Sequence, residues 1–307
     1  MRLCSLLILL ALASPAMADS LKLHTVLPQG RSAVWSLAFS PDGKTLAVGS
    51  PACIFLWETT TWKLRGTLEH PASSLTFSQN GRILAAAALN HSEVAVCRMS
   101  TGGVFTFMGD GRDIHALALA PDGKTVAVSK GDWLDVFDVS VQRVIGKWSA
   151  FRAQVTALAF FRNGESLAVG HVHGDISFWD VRTGKRRVMF KGDDGHVNSL
   201  AFSADGSKLA SAGRKIVLWA VETGRKLQSI DVRDPNFRIA LSGDGTRVAA
   251  AAMDENGRVW DATQGKELAT LGQNAPGLAI AFSPDGKLLA VSCPEGIKVW
   301  KLPHGGR

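Results

Sequence analysis

The sequence contains only four cysteines, and their arrangement excludes several kinds of site. Cys4 lies in an apolar N-terminal segment, which leaves Cys53, Cys97 and Cys293 in the rest of the chain. No pair forms a C-x-x-C motif, so the signatures of a c-type haem site and of a redox-active dithiol are both missing. Three is an odd number, so at least one of these cysteines stays outside any disulfide within the chain.

Catalytic and nucleotide-binding motifs are also missing. The chain has no G-x-S-x-G, no H-E-x-x-H and no dinucleotide-binding glycine pattern. Residues 43–45 and 123–125 read Gly-Lys-Thr, like the end of a phosphate-binding loop, but Ala38 and Ala118 stand where that loop requires its first glycine. We therefore expect no catalytic residues, no cofactor and no enzymatic activity.

Long apolar segments occur only at the N-terminus. Arg2 supplies positive charge, residues 3–13 are uncharged and apolar, and residues 16–18 have the A-x-A pattern of a cleavage site. This order predicts a secretory signal peptide over residues 1–18, because the apolar stretch is shorter than the roughly 20 residues that span a bilayer. We expect residues 19–307 to be exported to a periplasm or outside the cell, without a membrane-spanning segment. The short leader favours a bacterial source.

Acidic residues are outnumbered by basic ones. The chain has 34 Lys and Arg against 27 Asp and Glu, a formal net charge of +7. An excess of positive charge favours acidic partners. Because an exported protein rarely meets nucleic acid, we expect an acidic protein or an anionic envelope component as the partner, and no nucleic acid.

One four-residue turn, with Ser-Pro-Asp-Gly as its fullest form, recurs at a spacing of about 40 residues. Its Asp or Asn caps the local backbone, and its Gly accepts a positive φ without steric cost. The seven copies occupy residues 40–43, 78–81, 120–123, 161–164, 203–206, 242–245 and 283–286. Short aliphatic runs before and after each copy predict buried strands.

A third run in each repeat ends at a fixed position, and a fourth run follows a polar turn. These landmark positions are Trp57, Cys97, Phe137, Trp179, Trp219, Trp260 and Trp300. Four strands per repeat, with Trp-Asp at 179–180 and 260–261, resemble the WD-repeat β-propeller family over residues 21–307. The resemblance implies an all-β fold, a seven-bladed β-propeller with four antiparallel strands per blade, in a single domain.

The two ends of the repeat region predict how the ring closes. The seventh repeat stops after the strand that ends at Trp300, and residues 21–27 form a strand without a repeat of its own. We expect this N-terminal strand to pair with the Trp300 strand and complete the last blade, since an open sheet edge would otherwise remain.

The sequence departs from the family in the residues that accompany the landmark tryptophans. In the family, a Gly-His pair, a Ser or Thr and an Asp join the tryptophan in a hydrogen-bonded network, and no repeat here carries the full set. We therefore expect a divergent propeller that is held mainly by apolar packing.

Histidines provide the only candidate metal site. His171 and His173 share one side of a strand by its two-residue period, and Asp175 is close to them. Solvated loop residues are the preferred interpretation, because the loop histidines on this predicted face spread over four blades, and we predict no metal. They are His70, His91, His115, His171, His173 and His196.

The resemblance implies a rigid platform that binds other proteins on the face formed by the loops into each blade and by the second-to-third turns. Aromatic and Arg residues, frequent hot spots of interfaces, lead the candidates there. We expect a monomeric, non-catalytic scaffold with the candidate residues Trp35, Arg112, His115, Trp133, Arg152, His173, His196 and Arg233. Two alternatives stay open: a propeller enzyme (hydrolase, lyase or oxidoreductase) with its site at the channel mouth, and a binder of envelope glycans or other small ligands.

Overall fold

The computed structural model describes residues 21–28, 33–88, 92–108, 111–149, 153–192, 195–232, 237–252, 257–271 and 277–303. The predicted leader, residues 1–18, lies outside these ranges. The described residues form 28 strands in seven four-stranded antiparallel sheets. Within them, no helix is long and apolar enough to cross a membrane.

The first two strands of each blade are the inner ones. The first strands are β2 (Ser36–Phe39), β6 (Ser74–Phe77), β10 (Ala116–Leu119), β14 (Val155–Phe160), β18 (Ser199–Phe202), β22 (Phe237–Leu241) and β26 (Ile280–Phe282). The second strands are β3 (Thr45–Gly49), β7 (Ile83–Ala87), β11 (Thr125–Lys130), β15 (Ser166–His171), β19 (Lys208–Ala212), β23 (Arg247–Ala252) and β27 (Leu288–Cys293).

The third and fourth strands complete each blade outwards. The third strands are β4 (Ile54–Glu58), β8 (Glu93–Arg98), β12 (Trp133–Asp138), β16 (Ile176–Asp180), β20 (Lys215–Ala220), β24 (Gly257–Asp261) and β28 (Gly296–Lys301). The fourth strands are β5 (Lys63–Leu68), β9 (Gly103–Met108), β13 (Arg143–Trp148), β17 (Lys185–Phe190), β21 (Arg225–Asp231), β25 (Glu267–Leu271) and, for blade seven, β1 (Lys22–Pro28).

The recurrent turn joins the first and second strands of every blade, as its chemistry predicts. In blade one, the Asp42 carboxylate accepts hydrogen bonds from the Ser40 hydroxyl (2.6 Å) and the Lys44 amide (3.0 Å). These bonds favour the ionised form and hold the pKa of Asp42 below its usual range. Gly43 adopts a φ of +70°, which an L side chain rarely tolerates.

The blades close into a ring around a central channel. Each first strand contacts the first strand of the next blade, and β26 of blade seven contacts β2 of blade one. β1 pairs antiparallel with β28, with Leu23 opposite Trp300 and Leu27 opposite Ile297. The seven-bladed fold and its closure by the N-terminal strand are therefore confirmed.

Apolar packing between neighbouring blades forms the core. The landmark side chains of blades one to six are buried, and Trp300 of blade seven is partly buried. Cys97, the smallest of them, is a buried free thiol whose pKa is raised by burial. Cys53 and Cys293 are free thiols as well.

Because consecutive strands of a blade run in opposite directions, the loops of the blade lie on two opposite faces of the ring. The upper face carries the loops into the first strands and the second-to-third turns, which hold most of the candidate residues. The lower face carries the recurrent turns and the third-to-fourth turns.

Candidate functional site

The first strands of all seven blades line a central cavity of about 360 Å³. Most of its lining side chains are small or aliphatic, because the strands approach closely around the axis. Its only titratable lining residues, among those the structure describes, are His115 and Arg238. The cavity has room for one or two side chains of a ligand.

Blade three brings two of the predicted residues into contact on the upper face. The guanidinium carbon of Arg112 lies 5.5 Å from the ring centre of Trp133, a cation–π distance. Arg112 precedes the first strand of the blade, and Trp133 begins its third strand. Trp133 stays 36% exposed, so its indole presents apolar area to solvent. We call Arg112 and Trp133 the blade-three platform.

A buried ion pair stiffens the hairpin that carries Trp133. Lys130 Nζ lies 2.9 Å from Asp135 Oδ2, and both side chains are at most 5% exposed. Lys130 also pairs across the turn with Trp133. Because breaking a buried pair leaves an uncompensated charge, the pair resists movement of this turn.

Two further predicted residues lie on the wall of the cavity. His115 of blade three is exposed, and its amide donates to the carbonyl of Ser129 at 2.9 Å. Trp35 is partly buried in the wall, and its amide donates to Gly49 at 2.9 Å. His115 therefore contributes to the wall from blade three, and Trp35 contributes from blade one.

Two other predicted residues that the structure describes line pockets of their own. His173 is exposed and lines a separate cavity formed mainly by blade four. His196 is exposed beside a small pocket that also includes Arg214. Arg152 and Arg233 lie outside the described residues, so their role in the predicted face stays a prediction.

The three residues of the alternative metal site, His171, His173 and Asp175, line one cavity of blade four, and the side chain of His171 is buried there. Its Nε2 lies 2.7 Å from the Ser177 hydroxyl, whose oxygen also accepts from Trp179 Nε1 at 2.8 Å. Burial lowers the pKa of His171, which favours the neutral ring. The described residues contain no group of three His, Cys, Asp or Glu side chains that could hold a metal ion.

Sequence reasoning missed Arg238, which lines the cavity and is the one basic residue on the described first strands. The position seven residues before the turn glycine is small in the other six repeats. Its occupants there are Ser36, Ser74, Ala116, Ala157, Ser199 and Ala279. Aligning the seven repeats on that glycine singles out Arg238.

Comparison with known proteins identifies relatives among repeat propellers. The family model described as the nucleolar protein 10-like N-terminal domain, a β-propeller, matches residues 79–260. The model of the WD domain, G-beta repeat, matches residues 21–58 and 265–301. Together, the two models match most of the repeat region.

Individual relatives are similar at low identity. Autophagy-related protein 16 of Arabidopsis thaliana is 25% identical over 249 residues, which cover 75% of this chain and 47% of the relative. WD repeat-containing protein SL1-17 of Schistosoma mansoni is 28% identical over 184 residues, covering 56% of this chain and 60% of the relative. Guanine nucleotide-binding protein subunit beta of Arabidopsis thaliana is 22% identical over 262 residues, covering 74% and 69%. The match spans less than two thirds of the length of the first two relatives.

Proposed function

Because this chain belongs to the WD-repeat β-propeller family, we propose that it is a non-catalytic protein-interaction scaffold that binds its partner at the channel mouth beside blade three. The observation that carries the proposal is the blade-three platform, a cation–π pair with an exposed indole on a stiffened hairpin. Tryptophan and arginine are the residues that most often dominate binding energy at interfaces.

The geometry of the site supports binding in preference to chemistry. The platform offers a flat aromatic surface and a cation, and His115 adds a ring on the channel side. A rigid support reduces the conformational entropy lost when a partner docks. We further propose that the protein acts outside the cytoplasm after its leader is removed, because residues 1–18 have the order of a signal peptide.

A crosslinked pull-down from the native host tests the binding proposal. The tagged protein is compared with an Arg112→Ala, Trp133→Ala double variant. The matched control is an Arg98→Ala, Ile145→Ala double variant. It removes an exposed Arg that forms a second cation–π pair and an apolar side chain that is 51% exposed. Arg98 lies at the end of the third strand β8 and Ile145 lies on the fourth strand β13, away from the loops of the upper face. We expect a discrete partner that the wild type and the control retain and the platform variant loses.

Other outcomes contradict the proposal in distinct ways. A partner that the platform variant keeps and the control loses would move the interface to the outer strands. No partner above background would reject the scaffold function. Export is tested separately by locating the protein after cell fractionation and sequencing its N-terminus, which we expect at Asp19.

A further inference from the structure

Arg238 occupies a position at which the other six blades have only Ser or Ala. It lies on β22 and lines the central cavity, so a long cation takes up the space that the small residues leave open around the axis. One Arg among six small residues breaks the sevenfold pattern at a single place. Packing of the blades does not require it, since six blades pack without it.

Among the residues that the structure describes, the guanidinium of Arg238 has one hydrogen-bond acceptor. Its Nη1 donates to the carbonyl of Asn198 on blade five at 3.2 Å, which engages one of its five N–H donors. Among the described residues, no carboxylate lies within ion-pair distance of it, and none lines the cavity. Desolvation by the surrounding walls lowers the pKa of Arg238, although the side chain stays exposed to the open channel. An arginine stays charged in proteins, and no described residue neutralises the charge of Arg238.

The remaining walls offer neutral donors to an anion. The Ser36 oxygen accepts the Leu75 amide at 3.0 Å, and the Ser199 oxygen accepts the Ile239 amide at 3.4 Å. A hydroxyl that accepts through its oxygen can still donate its hydrogen, so both can face an anionic group. Arg binds carboxylates strongly because its planar fork matches the two oxygens.

We propose that the channel receives a carboxylate carried by an acidic side chain of the partner protein, with Arg238 as its ion-pair partner. The inference rests on the proposed function, because the same partner segment contacts the blade-three platform at the mouth. A cavity of about 360 Å³ accepts one or two side chains but not a folded element. The net charge of +7 favours an acidic partner.

Selection from a phage-displayed library of random heptapeptides tests the proposal on the full protein. The baits are the wild type, Arg238→Gln, Trp133→Ala and Arg65→Gln, the last being a matched loss of one exposed Arg on the outer strand β5. We expect the wild type and Arg65→Gln to enrich peptides with Asp or Glu at one position, and Arg238→Gln to lose that preference. Circular dichroism melts establish that each bait is folded.

Affinity measurements then assign the contact to one pair of groups. For the best acidic peptide, we expect Arg238→Gln to weaken binding roughly 30-fold or more, as loss of one member of an enclosed charge pair does. Replacing the acidic residue of the peptide by its amide is expected to cause a similar loss with the wild type and little further loss with Arg238→Gln. An unchanged acidic preference in Arg238→Gln would overturn the proposal.

The remaining outcomes separate this proposal from the proposed function. Peptides that need Trp133 but show no acidic preference would leave the scaffold function standing and reject the channel contact. Failure of the wild type to enrich any peptide would count against both. Inorganic phosphate and glutarate are tested by thermal shift as free anions. Arg238-dependent binding of either one more tightly than the peptide would assign the site to a small ligand and overturn the partner carboxylate.

Discussion

Blades five and seven are built on one plan and differ in how they hold the landmark tryptophan. In blade five, Trp219 is 2% exposed and its Nε1 donates to Ser211 at 2.8 Å. In blade seven, Trp300 is partly buried, and its Nε1 is buried without a hydrogen-bond partner among the described residues. Ser211 lies two residues after the residue that pairs with Trp219. The equivalent position in blade seven, two residues after the residue that pairs with Trp300, is Val291.

The family motif gives the landmark tryptophan both packing contacts and a hydrogen bond, and blades five and seven show these two roles separately. Trp57 of blade one repeats the situation of blade seven, because Val48 stands in the same register and the indole Nε1 is again buried without a partner among the described residues. Among the described residues, only packing contacts hold the tryptophan ring in blades one and seven. The hydrogen bond of blade five adds stability but does not define the blade.

Chain connectivity is the second difference between the two blades. Blade five is one continuous segment from β18 to β21, whereas blade seven takes its fourth strand, β1, from the opposite end of the chain. Leu27 of β1 is 2% exposed in the core between blades seven and one. Blade seven therefore depends on a contact across the whole sequence, and blade five does not.

Deletion of residues 19–28 is expected to have the largest effect. It exposes the edge of β28, uncovers Trp300 and removes Leu27 from the core, so we expect loss of the cooperative unfolding transition and aggregation. Denaturant unfolding followed by circular dichroism, together with size-exclusion chromatography, measures both. A synthetic peptide of residues 19–28 added in trans should restore part of the folded signal. A deletion variant that unfolds like the intact protein would show that blade seven closes without β1.

Truncation of the landmark tryptophans is the next largest effect. Trp219→Ala removes a fully enclosed ring that stacks on Phe190 at 5.7 Å, so we expect a loss of roughly 3–5 kcal/mol in the free energy of unfolding. Trp300→Ala is expected to lose less, because that ring is already partly exposed. Urea unfolding of both variants checks the order. An equal or larger loss for Trp300 would mean that the closing blade is packed as tightly as blade five.

The sequence was sufficient to predict the blades because their signals are local. The Asp42 turn bonds, the positive φ of Gly43 and the strand that ends at each landmark depend on neighbouring residues. The closure was predictable for a different reason. The N-terminal strand has no repeat of its own, and the last repeat lacks its fourth strand. Pairing of the two is the arrangement that leaves neither strand edge open.

The site was only partly predictable because it is formed by contacts between repeats. Arg112 and Trp133 were both selected as candidates, but their pairing depends on how a loop and a turn of blade three pack together. The two-residue period grouped His171 with His173 correctly, since both line one cavity of blade four, but it did not show that the His171 ring is buried beside Ser177. Arg238 was missed because it is unusual only in comparison with the Ser or Ala at the equivalent position of the other six repeats.

Exchange of the second-strand residue tests the hydrogen bond itself. Ser211→Ala leaves the Trp219 N–H buried without its acceptor, so we expect a loss of about 1–3 kcal/mol in the free energy of unfolding. Val291→Thr offers Trp300 an acceptor but removes a methyl group from the core, so we expect a change of less than about 1 kcal/mol. Urea unfolding of both variants gives the comparison. Equal effects of opposite sign would show that the bond, rather than packing, decides the stability of each blade.

A pH-dependent contact at the closing blade is expected to have the smallest effect. The register shift in the β1–β28 pair leaves His24 as the extra residue, where blade five has Leu227. The neutral Nε2 of His24 accepts a hydrogen bond from Trp62 Nε1 of blade one at 3.0 Å, which joins β1 to the neighbouring blade. Partial burial, and next the charge of Lys301, lower the pKa of His24 below its ordinary value.

Because the pKa of His24 is lower in the folded protein than in the unfolded chain, acid destabilises this contact. As the pH falls below about 6.5, the unfolded chain binds a proton at His24 before the folded protein does. The contribution of His24 to stability is therefore complete above that pH and is lost as the pH falls through the lower pKa of the folded state. We expect His24→Gln, whose amide oxygen can still accept from Trp62 but does not titrate, to lose less stability than the wild type between pH 7 and pH 5. His171, whose pKa is also lowered, is unchanged in both proteins, so the difference between their urea midpoints isolates His24. Parallel pH profiles would show that the His24–Trp62 contact does not contribute to closure of the ring.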